Sequence, residues 1–176
     1  MSLHLGRTVF GNPANQDNVL TKEDAMQLMQ AWVLNPKLQL HMLQVAHLMQ
    51  CWAAEIEQLP EATQWKWEMA GLLHDADWDQ WPELHCSKII EELEIRMDKM
   101  LYAFDELSGL IHAYSLMRPN GYEGMDVKGV KKRLKEKSFA ANVSREDIQD
   151  ACTRAGIQLD ELIAFIIAKQ QAVTLP

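Results

Sequence analysis

Over residues 37–58 the chain sets Leu38, Met42, Val45, Met49, Trp52 and Ile56 at alternating steps of four and three. That spacing lines side chains along one face of an α-helix. A helix with such a stripe has to be covered by others, and the same period returns along the sequence. Thr21 with Asp24 has the form of an N-cap pair, opening a helix through Ala25, Leu28, Met29 and Trp32 that ends before Pro36. Pro60 starts a third helix, expected over 61–75, with Trp65, Met69, Leu72 and Leu73 turned inward. After an aromatic loop at 78–82, a short helix is expected with Cys86, Ile89, Ile90 and Leu93 on its inner side. A long helix over 95–117 carries Met97, Met100, Leu101, Phe104, Leu107, Leu110, Ile111 and Tyr114 inside. The sequence Arg118-Pro119-Asn120-Gly121-Tyr122 is a break. A basic helix follows over 127–137, then one opened by Ser144 and Asp147 and stopped at Gly156, and a last one capped by Asp160. No segment alternates with a period of two. The prediction is an all-α fold.

Residues 1–20 show no helical period and contain Gly6, Gly11 and Pro13, so they read as an N-terminal extension to a domain over 21–176. Ten Met and six Trp against eight Gly suit helices packed on irregular surfaces. The net charge of -8 argues against binding nucleic acid through the bulk field. Cys51, Cys86 and Cys152 are odd in number and widely spaced, as expected of free thiols in a reducing compartment. No apolar run approaches the ~18 residues of a membrane span. The chain is expected to be cytoplasmic.

The stretch Gly71-Leu72-Leu73-His74-Asp75-Ala76-Asp77-Trp78-Asp79 carries the chemistry. A neutral imidazole beside a carboxylate offers one nitrogen and one oxygen to a divalent metal. On the preceding helix His41 lies one turn before Val45, on the apolar face, where a hydrogen-bonded core histidine is the simpler reading. His47 falls about 200° from Val45 and is expected to face solvent. On the long helix, periodicity does not separate Asp105 from Asp98.

The order His41, His74-Asp75, Asp105 resembles the HD-domain superfamily of metal-dependent phosphohydrolases. The likeness extends through LQLHMLQVAHLM, AGLLHDADWD, MLYAFDELSGL with the following MRP, and VKKRLKEKSFAANVSRE, which look like a small stand-alone subfamily. It covers about residues 21 to 170. The resemblance implies an HD-type bundle of orthogonally packed helices in which His41, His74, Asp75 and Asp105 bind one divalent cation (Fe, Mn, Co, Ni or Zn). Such a donor set leaves positions open for water and a phosphate oxygen. A bound metal acidifies its water and offsets phosphoryl charge. Asp77, with Asp79 close by, is placed to orient that water or take its proton, unless both are only loop charges. Arg118, Lys135 and Lys137 are the cations expected to reach the phosphate of a small phosphorylated substrate such as a nucleotide. One departure matters. His85 matches the first of the extra histidines of two-metal relatives, but residues 92–100 contain none, and this region is shortened. A mononuclear site is expected, with His112 in a structural role. The shortening also leaves open a catalytically weak HD-fold module that binds metal or nucleotide, and, beyond that, a metal-free scaffold.

Overall fold

The computed structural model describes residues 21–76, 78 and 96–175, and these form helices with no strand. The order is α1 Lys22–Trp32, α2 Pro36–Glu55, α3 Glu61–Leu73, α4 Arg96–Leu116, α5 Val127–Lys135, α6 Arg145–Ala155 and α7 Leu159–Gln170. The 1–20 extension, the helix expected around Cys86, and Asp77, Asp79 and His85 lie outside the described residues. None of the described helices is long and apolar enough to cross a membrane.

Local signals set most of the helix ends. Thr21 and Asp24 form a reciprocal capping box at α1, and the Asn35 side chain accepts from the Lys37 amide ahead of α2. Pro36 costs nothing at the start of α2, because the first amides of a helix have no partner within it. The Ser144 hydroxyl accepts from the Asp147 amide, and α6 ends on Gly156 at φ 66°, a left-handed position suited to glycine. The expected cap at Asp160 is corrected. Gln158 precedes α7, and Asp160 sits in its first turn, where its carboxylate meets the Lys131 ammonium at 2.7 Å. Between α5 and α6 the chain is held by Arg145, whose guanidinium donates to the carbonyls of Ala140, Val143 and Phe139. One cation thus adds to the turn bonds from the Phe139 and Val143 amides by satisfying carbonyls that no helix or strand takes up.

Helix α2 runs between two apolar clusters. Val45, Leu48, Met49, Trp52 and Ala53 join α4, α6 and α7 around Phe104, Leu107, Ile111, Ile163 and Ile166. Met42 and Ala46 join α1 and α3 around Ala25, Met29, Met69 and Leu72. Two expectations from the stripes change here. Ile56, the last member of the α2 stripe, is 51% exposed because the helix ends at Glu55 and the phase is lost. On α3 Trp67 is buried against the larger cluster while Trp65 only borders the smaller one. The helix is wedged between the two and buries two faces where a single stripe implies one.

Helices α2 and α3 approach closely through Gly71. A Cβ built there would stand 2.7 Å from the Ala46 Cα and 2.8 Å from the Ala46 nitrogen. With no side chain at Gly71, the last turn of α3 rests on the backbone of α2. That brings the residue three positions on, His74, toward the face of α2 that carries His41.

Candidate metal centre

His41 projects from α2, His74 and Asp75 from the turn that ends α3, and Asp105 from the middle of α4. Each offers one ligand atom, and the four atoms lie within 4.8 Å of one another. His41 Nε2 is 3.0 Å from Asp105 Oδ1 and 3.9 Å from Asp75 Oδ2. His74 Nε2 is 3.5 Å from both Asp75 Oδ1 and Asp105 Oδ1. The two imidazoles meet edge-on, with ring centroids 5.2 Å apart.

The backbone orients His74. Helix α3 stops at Leu73 rather than at Asp75, leaving carbonyls of its last turn without partners from the helix. The Nδ1–H of His74 donates to one of them, Gly71 O, at 2.7 Å. The proton on Nδ1 leaves Nε2 as the free nitrogen, and Nε2 is the atom aimed at the carboxylates. It is buried and makes no hydrogen bond. A lone pair held against two carboxylate oxygens is repulsive unless a cation comes between them, either a proton or a metal ion. With a proton there, burial works against the imidazolium, but Asp105, then Asp75 and the Gly71 carbonyl, outweigh it and raise the His74 pKa to about 9. Asp105 responds in the opposite sense. Burial raises its pKa, yet the hydrogen bond to His41 and the positive charge of a protonated His74 beside it hold the carboxyl far below the usual range.

The residues fit a metal ion. Ligands about 2.1 Å from a six-coordinate ion stand about 3 Å from their neighbours and about 4 Å from the ligand opposite. The histidine-carboxylate separations of 3.0, 3.5, 3.5 and 3.9 Å fall in that span. Two carboxylates match a divalent charge, two neutral imidazoles add borderline donors, and the second nitrogen of His74 is tied to a carbonyl, as ligating histidines usually are.

Other residues singled out in the sequence lie apart from this cluster. Asp98, which periodicity left equivalent to Asp105, is one turn into α4 and is not part of it. His47 is half-buried rather than solvent-facing, with Nε2 3.5 Å from the Cys51 sulfur. Burial lowers its pKa. Arg118 is committed to its own loop. Its Nε donates to Gly121 O at 2.9 Å, Nη2 donates to Glu123 O at 2.6 Å, and the guanidinium lies over the Tyr114 ring. Lys135 lines a surface groove of about 730 Å³ with Asp126, Lys128, Lys131, Lys132 and Asp160, and none of the four metal candidates borders it. Lys137 is exposed in the turn after α5. Asp77, two residues past the His-Asp pair, falls outside the described residues.

Sequence reasoning missed the polar layer beside the cluster. Gln44 and Gln170 are buried and hydrogen-bonded, and His112 joins them to Tyr122. Only the position of Gln44, one turn past His41, hinted at it.

Fold and site together define an all-helical protein with a four-residue group able to hold a metal ion. The sequence matches no family model, no curated protein and no solved structure.

Proposed function

We propose that this protein is a phosphohydrolase of the HD type, acting on a phosphomonoester or nucleotide with one divalent ion at His41, His74, Asp75 and Asp105. The observation that carries the reading is His74 Nε2, buried, without a hydrogen bond, and 3.5 Å from two carboxylate oxygens. When bound, such an ion draws charge from a phosphoryl group and acidifies adjacent water. The chain contributes the rest. Gly71 O and the turn after α3 fix the direction of His74, while Asp105 and His41 hold each other across α2 and α4. Asp77 is the proton acceptor in this reading, while Lys135 and Lys137, which lie apart from the four-residue group, are not assigned to its phosphate.

Elemental analysis of the purified chain, followed by turnover of p-nitrophenyl phosphate and a nucleotide panel, tests the proposal. Near one metal ion per chain and phosphate release are expected. No metal uptake overturns the reading. Metal uptake without turnover makes the protein a binding module that keeps the site and has lost the reaction. Lys135→Ala and Lys137→Ala should leave phosphate binding as in wild type, since neither side chain borders the group. Stability should hardly change, since exposed lysines contribute little. A phosphate affinity about tenfold weaker in either variant would return that lysine to the site, since that is the value of one charge-assisted hydrogen bond.

A further inference from the structure

We infer that His112 is a neutral hydrogen-bond donor, locked with its proton on Nε2, that receives the uncharged, hydroxyl-bearing part of a phosphomonoester whose phosphoryl group lies at the four-residue cluster. The inference rests on the metal-site reading above and specifies its substrate class.

The lock is traced from a backbone carbonyl, which only accepts. Gln170, fully buried on α7, places its amide nitrogen 3.0 Å from Ser108 O and 2.8 Å from Gln44 Oε1. Turning that amide over would set its oxygen against the Ser108 oxygen, so the nitrogen donates to both. Gln44 therefore presents its oxygen to Gln170 and its Nε2–H₂ to the other side, where it donates to His112 Nδ1 at 3.2 Å. The Tyr122 hydroxyl lies 3.1 Å from the same Nδ1. With Nδ1 accepting, a neutral His112 carries its proton on Nε2. Burial pushes the His112 pKa down, which favours the neutral ring. Its Nε2 takes no protein partner among the described residues and is not among the enclosed atoms that lack one. The donor is open.

Helix geometry sets His112 on the side of α4 that carries Asp105. His112 is seven residues past Asp105, so it stands on the same face of α4, about 10 Å further along. Gln44 is one turn past His41 on α2, and the bond between Gln44 and His112 repeats across the two helices the one between His41 and Asp105. A molecule with a phosphoryl group at the first layer extends its organic part over the second. The groups bonded there, Gln44, Gln170 and Tyr122, are uncharged like His112 itself, so this layer suits a hydroxyl or ether oxygen rather than a second phosphate. A donating Nε2 with an occupied Nδ1 also has no lone pair for a metal, in keeping with a single ion.

Calorimetric titration of the Mn²⁺-loaded chain with the phosphonate analogue of ribose 5-phosphate, which hydrolysis cannot cleave, and with inorganic phosphate tests this, alongside ¹⁵N NMR of the histidine rings in the metal-free chain. Wild type should bind the sugar phosphonate about five- to tenfold more tightly than phosphate, as one neutral hydrogen bond allows. His112→Ala should remove that preference while keeping the Mn²⁺ and phosphate affinities. His112→Gln, which offers an amide N–H, should restore part of it. NMR should show His112 with the proton on Nε2. A proton on Nδ1, no preference in wild type, a preference that survives His112→Ala, or no recovery with glutamine overturns the inference. Loss of Mn²⁺ from His112→Ala also overturns it, by making His112 a ligand. If wild type takes up no Mn²⁺, the metal reading falls and this inference with it. Mn²⁺ uptake without sugar preference removes this inference alone.

Discussion

At His74 one ring nitrogen serves the helix and the other serves the site. Nδ1 closes the last turn of α3 on Gly71 O, and Nε2 faces Asp75 and Asp105. His74→Ala should therefore cut metal uptake from one ion per chain to none, by elemental analysis, while far-UV circular dichroism stays close to wild type. The core stripes do not pass through this residue. Metal at a hundredfold excess over its Kd stabilises a folded chain by about 2.7 kcal/mol, so wild type should gain melting temperature on loading and the variant should not. Loss of the helical signal in the variant would show that the fold itself depends on His74. Glu57 offers a test by pH. Burial raises its carboxyl pKa, but hydrogen bonds from the Trp52 indole at 2.9 Å and from Arg96 at 2.7 Å, with the arginine charge, bring it below the ordinary 4.5. A lowered pKa stabilises above the unfolded value and is lost as pH falls through it. Glu57→Gln should thus be less stable than wild type by about 1 kcal/mol at neutral pH, at the low end for a charged hydrogen bond because Arg96 is partly exposed. Urea unfolding should show the gap closing below about pH 4. A gap independent of pH would mean that the amide serves Trp52 and Arg96 as well as the carboxylate.

Between helices, the approach of α3 to α2 at Gly71 decides whether the cluster forms. Alanine gains about 1 kcal/mol over glycine in helix propensity. Its methyl would nevertheless meet the α2 backbone at 2.7–3.0 Å, and backbone does not swing aside as a side-chain tip does. Gly71→Ala should be destabilised by about 1–3 kcal/mol net, read in urea, and should bind metal more weakly as His74 is lifted from His41. Equal or greater stability would show that the helices have room to spare. Most helices were legible from their caps and stripes, and so was the His-Asp pair. What pattern reading lost follows from geometry. Periodicity gives an angle around one helix but no depth along it, so Asp98 and Asp105 looked alike until α2 was placed against α4. The stripe rule assumes one buried face, which fails for α3, with Trp67 on one cluster and Met69 on the other. Asp160 resembled a cap because a cap and a first-turn acid differ by one or two positions. Buried glutamines carry no pattern at all, being polar in any hydropathy count.

Across the molecule, α2 contributes side chains to both apolar clusters, and the candidate metal centre lies where α2, α3 and α4 meet. Each cluster loses a wall if α2 leaves, so the two are coupled through that helix. A scanning calorimeter should therefore record a single heat-absorption peak, with calorimetric and van't Hoff enthalpies in agreement. Two resolved peaks would show that α1 and α3 melt as a unit of their own.

The bridge from Arg145 to the carbonyls of Phe139, Ala140 and Val143 has a consequence for how the chain is assembled. The arginine sits in the first turn of α6, and every carbonyl it gathers was synthesised before it. Until that residue arrives, these carbonyls lack the guanidinium that gathers them in the folded chain. The loop between α5 and α6 therefore cannot complete its hydrogen bonding before the first turn of α6 exists.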